Sequence, residues 1–338
     1  MVDTRKKVLF VGPCKFFFRS FMQWDFDVLS NEFDIRLVNA CFNVHDPQGT
    51  LRTPYSLITG VAWADLIFCW FAGREAFWAV ALSQLFDKKT AVVVGGADVT
   101  RLPEIGYGAA LSKTKRFYST FVLNKATQLL PYSKDAERRA LGFSNDDAKF
   151  KLVYLGIDVE RFRPSGTKKD QAITVSVVNR TNLKRKGLET FVRSAVYLPD
   201  IEFVLVGQFA DQSIDYLQSI ASKNVRFTGA LPESELIRYY QDAKVYVQVS
   251  AHEAFGVSLA EAMACGCVPV VTDKGAIPEV VGDVGIYVPY GDPAATADGI
   301  EQALESDKGS AARQRIKNLF TVDERQKALL KVVHDLLN

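Results

Sequence analysis

The chain has 338 residues, 48% of them hydrophobic and 24% charged, with a net charge of +2. This is an ordinary globular composition, long enough for two domains. No window approaches ~18 consecutive apolar residues, so no membrane-spanning helix is expected.

The opening "MVDTRKKVLFVG" runs from basic residues straight into a strand-like segment, without the long apolar region and cleavage site of a signal peptide. Apolar runs then alternate with helix-like stretches. Strands are predicted at 7–12, 34–40, 64–70, 90–96 and 128–133, with a further candidate at 150–156. An amphipathic helix is predicted over 74–87. Near-continuous apolar strands between helices predict a parallel sheet covered on both faces. Residues 159–172 are polar, contain Pro164 and Gly166, and form the candidate linker. The alternation restarts with strands at 173–179, 202–207, 225–229, 245–250, 268–272 and 285–289. Two doubly wound α/β domains in tandem follow, and ligands of such sheets sit at the carboxyl ends of the strands.

Five cysteines (Cys14, Cys41, Cys69, Cys265 and Cys267) are scattered and odd in number, as expected of reduced core thiols in a cytoplasmic protein. "CGC" at 265–267 lacks metal-knuckle spacing. Of the histidines His45, His252 and His334, only His252 lies near a candidate site, which disfavours a histidine metal centre or hydrolase triad. Residues 1–165 carry +5 and the remainder −3, a weak pointer to an acidic partner or anionic surface for the first half.

Two stretches can carry chemistry. In "SAHEAFGVSLAEAMACGCVPVV" (250–271) a helix is predicted to start near Phe255, with Glu253 in the turn before it and Glu261 two turns inside. Gly256 permits close approach of a ligand. The backbone N–H groups of Phe255, Gly256, Val257 and Ser258 then point from the helix end as an anion site. Carboxylates beside a phosphate repel it, so Glu253 and Glu261 read as acceptors for sugar or ribose hydroxyls. The bland alternative is a cap and a surface glutamate. In "VNRTNLKRKGLETF" (178–191) Arg180 and Lys186 are predicted in a loop after a strand, where two cations can hold a diphosphate or form a solvated basic turn.

These stretches, with "VRFTGALPESELIRYYQDAKVYVQVS" and "VPVVTDKGAIPEVVGDVGIYVPYGDP", resemble the C-terminal domain of the family 4 (group 1) retaining glycosyltransferases. The resemblance extends back to residue 132 and weakens from residue 1 to about 90. It implies the GT-B fold, two Rossmann-like domains facing across a cleft. The implied domains are 1–165 on the acceptor side, 166–320 for the nucleotide-sugar donor, and a helix over 321–338 returning to the first. It further implies Glu253 on the donor-sugar hydroxyls, Glu261 on the ribose, and Arg180 and Lys186 on the diphosphate. The 255–258 amides complete the pocket, and Leu231 lies near the base. The implied reaction is transfer from a UDP- or GDP-type sugar to a glycan or lipid-linked acceptor. It retains configuration and needs neither cofactor nor metal. No nucleic-acid partner is expected.

The first half departs from the family pattern. In "VVVGGADVTR" Gly95 stands where many members have histidine, while Asp98 matches the family aspartate. The first loop, "VGPCKFFFRSFMQWDF", has Gly12 alone to admit a phosphate, and lacks the glycine spacing of a dinucleotide turn. Phe16, Phe17, Phe18, Phe21 and Trp24, with Lys15 and Arg19, and the basic stretch 112–125 form either core faces or a peripheral contact with an anionic membrane surface. Two rival readings stay open: a sugar-nucleotide epimerase or hydrolase of the same fold, and a non-catalytic nucleotide-sugar-binding subunit.

Overall fold

The computed structural model describes residues 5–13, 20–40 and 47–338. Phe16, Phe17 and Phe18, with Lys15, Arg19, Cys14, Cys41 and His45, lie outside them. The chain divides into two compact units, 1–103 with 107–155 and 323–338, and 104–106 with 156–322.

The first unit contains β1 (Lys7–Pro13), α1 (Ser20–Glu32), β2 (Asp34–Ala40), α2 (Pro47–Trp63), β3 (Leu66–Trp70), α3 (Arg74–Leu85), β4 (Lys89–Val94), α4 (Lys113–Lys125), β5 (Gln128–Pro131) and α5 (Lys134–Leu141). Its five strands run parallel in the order β2-β1-β3-β4-β5. All five residues of β3 are buried, as a central strand covered on both faces requires.

The second unit contains β6 (Lys169–Val175), α6 (Arg180–Arg185), α7 (Leu188–Ser194), β7 (Glu202–Val206), α8 (Ser213–Ile220), β8 (Val225–Gly229), α9 (Glu233–Asp242), β9 (Ala243–Gln248), α10 (Val257–Ala264), β10 (Val268–Val271), α11 (Ile277–Val281), β11 (Ile286–Tyr287), α12 (Pro293–Glu305) and α13 (Gly309–Leu319). A parallel sheet of order β11-β10-β9-β6-β7-β8 runs through it. Strand order reverses between β6 and β9, so the loops after these two neighbours diverge at a crevice, the usual ligand position in such sheets.

The last helix, α14 (Val322–Leu337), belongs almost wholly to the first unit. Arg325 fixes it there. Its Nε and Nη2 donate to the two oxygens of Asp25 at 2.7 Å each, and Nη1 donates to the carbonyls of Val153 and Tyr154. Both partners of this ion pair are buried, as are Leu329, Val333 and Leu336 of the same helix.

Two expectations change. Residues 150–156 form no strand: Phe150 makes one parallel bridge to Leu129, and the carbonyls of Val153 and Tyr154 turn to Arg325 instead of a neighbouring strand. The linker ends earlier than 172, because the polar Lys169 and Asp170 already open β6, where the strand is still exposed. Gly12 lies next to last in β1, paired with Asn39, and the loop beyond Pro13 lies outside the described residues.

Candidate active site

In the second unit the two candidate stretches follow β6 and β9, and glycine backbone brings them together. Gly187 adopts φ +65°, and a Cβ there would lie 2.1 Å from the Val249 carbonyl oxygen. That close approach lets the Ala251 N–H donate to the Arg185 carbonyl at 2.8 Å. The basic turn is thereby docked against the loop that carries Glu253.

The expected loop holding Arg180 and Lys186 is a short helix, α6, started by Asn179, whose side chain accepts the Asn182 N–H. Lys186 caps its far end. The structure joins Lys186 to Glu253: Nζ contacts Oε1 directly, with Arg185 Nη1 at 3.7 Å and the Ser250 hydroxyl donating at 3.2 Å. Burial opposes the charge on Glu253, but the cations of Lys186 and Arg185 outweigh it and hold the carboxyl below its ordinary value. Burial also lowers Lys186, against the pull of Glu253.

Arg180 stands apart from this pair in character. It opens α6, its backbone N–H donates to Asp211 at 3.0 Å, and the residue is exposed. Arg185 supplies the second cation beside Glu253. Its position in "LKRKG" offered a signal, but three adjacent basic residues do not reveal which one turns inward.

Beyond Glu253, α10 starts at Val257, two residues later than expected, because Gly256 adopts φ 90° and ψ 61° as its N-cap. No side chain caps this end, so the first N–H groups remain available. Phe255 is buried and packs edge-on against Phe320, so its backbone, not its ring, faces the turn's chemistry. Ser258 Oγ accepts from the Tyr246 hydroxyl at 2.9 Å. Gln248 is buried, its Nε2 has no partner, and a Cβ on Gly256 would stand 3.1 Å from it. Gln248 is an addition to the expected set: a buried amide donor beside the N-cap turn. Gly275 is another. Its φ of +61° lets it lie against the Glu253 backbone, where a Cβ would meet the carbonyl oxygen at 2.2 Å.

Glu261 lies within α10 and accepts from the Tyr240 hydroxyl at 3.1 Å. Burial raises its carboxyl to about 8, despite that bond. A carboxyl so placed gains from hydroxyl groups that solvate it. Leu231, partly buried, sits between β8 and α9.

Asp98 lies in the first unit, after β4. It is buried, and Oδ2 accepts from the N–H groups of Ala72 (2.8 Å) and Gly95 (3.1 Å). Burial raises it above the usual carboxylate range. Among the described residues no group of three or more His, Cys, Asp or Glu could hold a metal ion.

Residues 158–319 match the family model of glycosyl transferases group 1. This segment, just under half of the chain, resembles the group 1, family 4 glycosyltransferases. It is 26% identical over 217 residues to a D-inositol 3-phosphate glycosyltransferase of Mycobacteroides abscessus, covering 58% of this chain and 48% of that protein. The chain thus spans about half the length of this curated relative. The structure resembles sucrose-phosphate synthase of Thermosynechococcus elongatus, with a TM-score of 0.82, 17% identity, and coverage of 98% and 99% of the two chains. It also resembles Anabaena HepE in complex with UDP and glucose, with a TM-score of 0.80, 15% identity, and coverage of 98% and 100%. These likenesses show the fold, two Rossmann-like α/β units as in GT-B glycosyltransferases.

Proposed function

We propose that the protein transfers a glycosyl group from a nucleotide-diphosphate sugar to a hydroxylated acceptor, glycan or lipid-linked, with retention of configuration. The observation that carries this reading is the junction of Lys186, Arg185 and Glu253 with the uncapped start of α10. Cations and free N–H groups there suit a diphosphate. Glu253 is poised to exchange part of its ion pair for donor-sugar hydroxyls as the phosphate draws Lys186 away. Arg180, exposed at the start of α6, reaches the diphosphate from the solvent side. Glu261 serves the ribose hydroxyls, and Leu231 lies toward the base.

As the glycosidic bond breaks, negative charge grows on the leaving diphosphate. Lys186, Arg180 and the α10 N–H groups stabilise it, and the acceptor proton passes to a leaving phosphate oxygen. These fixed positive groups supply what a divalent cation would supply, so the reaction runs without metal. A UDP- or GDP-type sugar fits this chemistry, as does a cytoplasmic protein that binds anionic membranes peripherally. No described helix is long and apolar enough to cross a membrane.

The test is donor turnover with and without acceptor, after ranking UDP-, GDP- and ADP-sugars by the stability each confers on the fold. Product with retained configuration supports transfer. Turnover to free sugar or an epimer only, or tight binding without any turnover, sinks it in favour of the rival readings.

A further inference from the structure

In the second unit the turn before α10 is tethered on both sides of one peptide. The Glu253 carbonyl accepts from the Ala276 N–H at 2.8 Å, and the Gly256 carbonyl accepts from the Ala260 N–H at 3.0 Å. Between them the Phe255 ring is buried against Phe320, with centroids 5.5 Å apart. These ties leave the peptide between Phe255 and Gly256 as the part of the turn that can rotate in place. A trans peptide is planar, so its carbonyl and its N–H point in opposite directions. Any rotation that turns the Gly256 N–H one way turns the Phe255 carbonyl the other way.

Beside this peptide lies Gln248, the last residue of β9. It is 3% exposed, and its Nε2 has no acceptor, although a Cβ on Gly256 would stand 3.1 Å from it. The other end of the amide is engaged: Oε1 accepts from the Tyr246 hydroxyl at 3.3 Å. The same hydroxyl lies 2.9 Å from Ser258 Oγ in the first turn of α10. Burial pushes the Tyr246 pKa up, so this hydroxyl keeps its proton and remains a donor. Tyr246 thereby sets which end of the amide faces Gly256, and it is the donor end. A buried donor without an acceptor costs stability, and native folds keep few of them.

The unmet donor and the rotatable peptide beside it answer each other. We propose that Gln248 is a positioning residue for the phosphate site. When an anion draws the Gly256 N–H toward itself, the Phe255 carbonyl swings to Nε2 and satisfies it. Gly256 has φ 90° before this rotation, and the rotation carries φ to the negative side, where the backbone is unstrained. The free turn holds an unmet donor and the bound turn does not, a difference that favours the arrangement with its N–H presented to the anion. This inference rests on the diphosphate reading above and adds to it a side chain that touches no ligand.

Inorganic pyrophosphate, which needs no base site, is titrated into the full chain by calorimetry, and protein labelled on glutamine side-chain nitrogen is followed by NMR. In the parent the Gln248 amide protons, identified as the pair missing in Gln248→Met, should move downfield on binding, the sign of a new hydrogen bond. Gln248→Met keeps the shape and removes the donor. It should melt about 1–3 °C higher than the parent, because no buried donor is left unmet. It should also bind pyrophosphate about threefold to tenfold more weakly, the worth of one neutral hydrogen bond. A purely structural residue would not move these two readouts in opposite directions. The downfield shift is read in the parent, so the test holds even if Gln248→Met does not fold. No such shift with pyrophosphate bound, or a Gln248→Met protein that binds like the parent, overturns the proposal. Lys186→Gln separates the two readings. If it loses pyrophosphate while Gln248→Met retains it, the phosphate site stands and the role of Gln248 falls. If the parent does not bind pyrophosphate, or Lys186→Gln binds it equally well, both fall.

Discussion

The ring of Phe71 fills the space that a side chain on Gly95 would need. A Cβ on Gly95 would stand 2.7 Å from two ring carbons of Phe71 and 3.1 Å from the Tyr132 hydroxyl. Phe71 itself has φ 67°, in the left-handed region that bulky residues avoid. At this position, where the family resemblance implies histidine, an aromatic ring from the end of β3 closes the space.

Gly95→His is therefore expected to overpack the site and lower stability by about 1–3 kcal/mol. Phe71→Gly in the same chain removes the ring and relaxes the backbone, so the double variant should recover part of the loss. Urea denaturation of both variants checks this. Equal stability of parent and Gly95→His would show that the ring moves aside freely.

Lys186→Ala leaves Glu253 with the Arg185 guanidinium at 3.7 Å and the Ser250 hydroxyl. Breaking a buried ion pair costs about 3–5 kcal/mol, and the remaining cation should reduce this. Lys186→Ala combined with Glu253→Gln should be more stable than Lys186→Ala. Arg180→Ala, at an exposed position, should change stability by less than about 0.5 kcal/mol. Yet both Arg180→Ala and Lys186→Ala should weaken diphosphate binding tenfold to a hundredfold, from about 1.5–3 kcal/mol per charged contact. Melting curves and nucleotide titrations together separate the two effects; an Arg180→Ala protein that binds diphosphate like the parent removes Arg180 from the site.

Glu261 gives a pH dependence of definite sign. Its carboxyl ionises near the ordinary 4.5 in the unfolded chain and at about 8 in the fold. Between those values the folded state holds a proton that the unfolded state has released. Stability from this group is therefore full below about pH 4.5, falls as pH rises, and levels off above about pH 8. Glu261→Gln should flatten that part of the profile. An unchanged slope in the glutamine variant would assign the titration elsewhere.

Removing divalent cations with EDTA should leave transfer unchanged under the proposed mechanism, in which side chains and N–H groups supply the positive charge at the leaving diphosphate. A loss of activity restored by magnesium or manganese would require a metal in the donor complex.

The basic helix α4 presents Lys113 and Arg116 on its exposed face, with Phe117 exposed between them and Phe121. Each cation near an anionic bilayer contributes about 1 kcal/mol, an attraction that salt screens. Co-sedimentation with anionic vesicles at low salt should weaken in Lys113→Ser/Arg116→Ser. No sedimentation of the parent under any lipid or salt condition returns these residues to a purely solvated face.

The strand order of each sheet could be anticipated only as parallel and doubly wound, since apolar runs such as "LIFCW" announce burial on both faces but not neighbours. Glu253 and Lys186 were both legible as candidate site residues. Their contact was not, because it depends on Gly187 lying against Val249, two segments far apart in the chain. Residues 150–156 carry strand composition, yet a guanidinium over 170 residues away takes the carbonyls that a neighbouring strand would have used. Asp98 was legible by its place in a motif. The Ala72 and Gly95 N–H groups that hold its Oδ2 were not, because hydrogen-bond geometry is a property of the folded loop.

The Asp25–Arg325 pair also sets an order of events during synthesis. The two residues are 300 positions apart, and both are buried in the same unit. While the chain grows from its amino end, Asp25, Val153 and Tyr154 are made long before the guanidinium that satisfies them. The second unit, which lies between, has all of its residues in hand first. The unit begun first is thus the unit completed last, and until α14 emerges it exposes a carboxylate, two backbone carbonyls and the apolar seat of Leu329 and Val333.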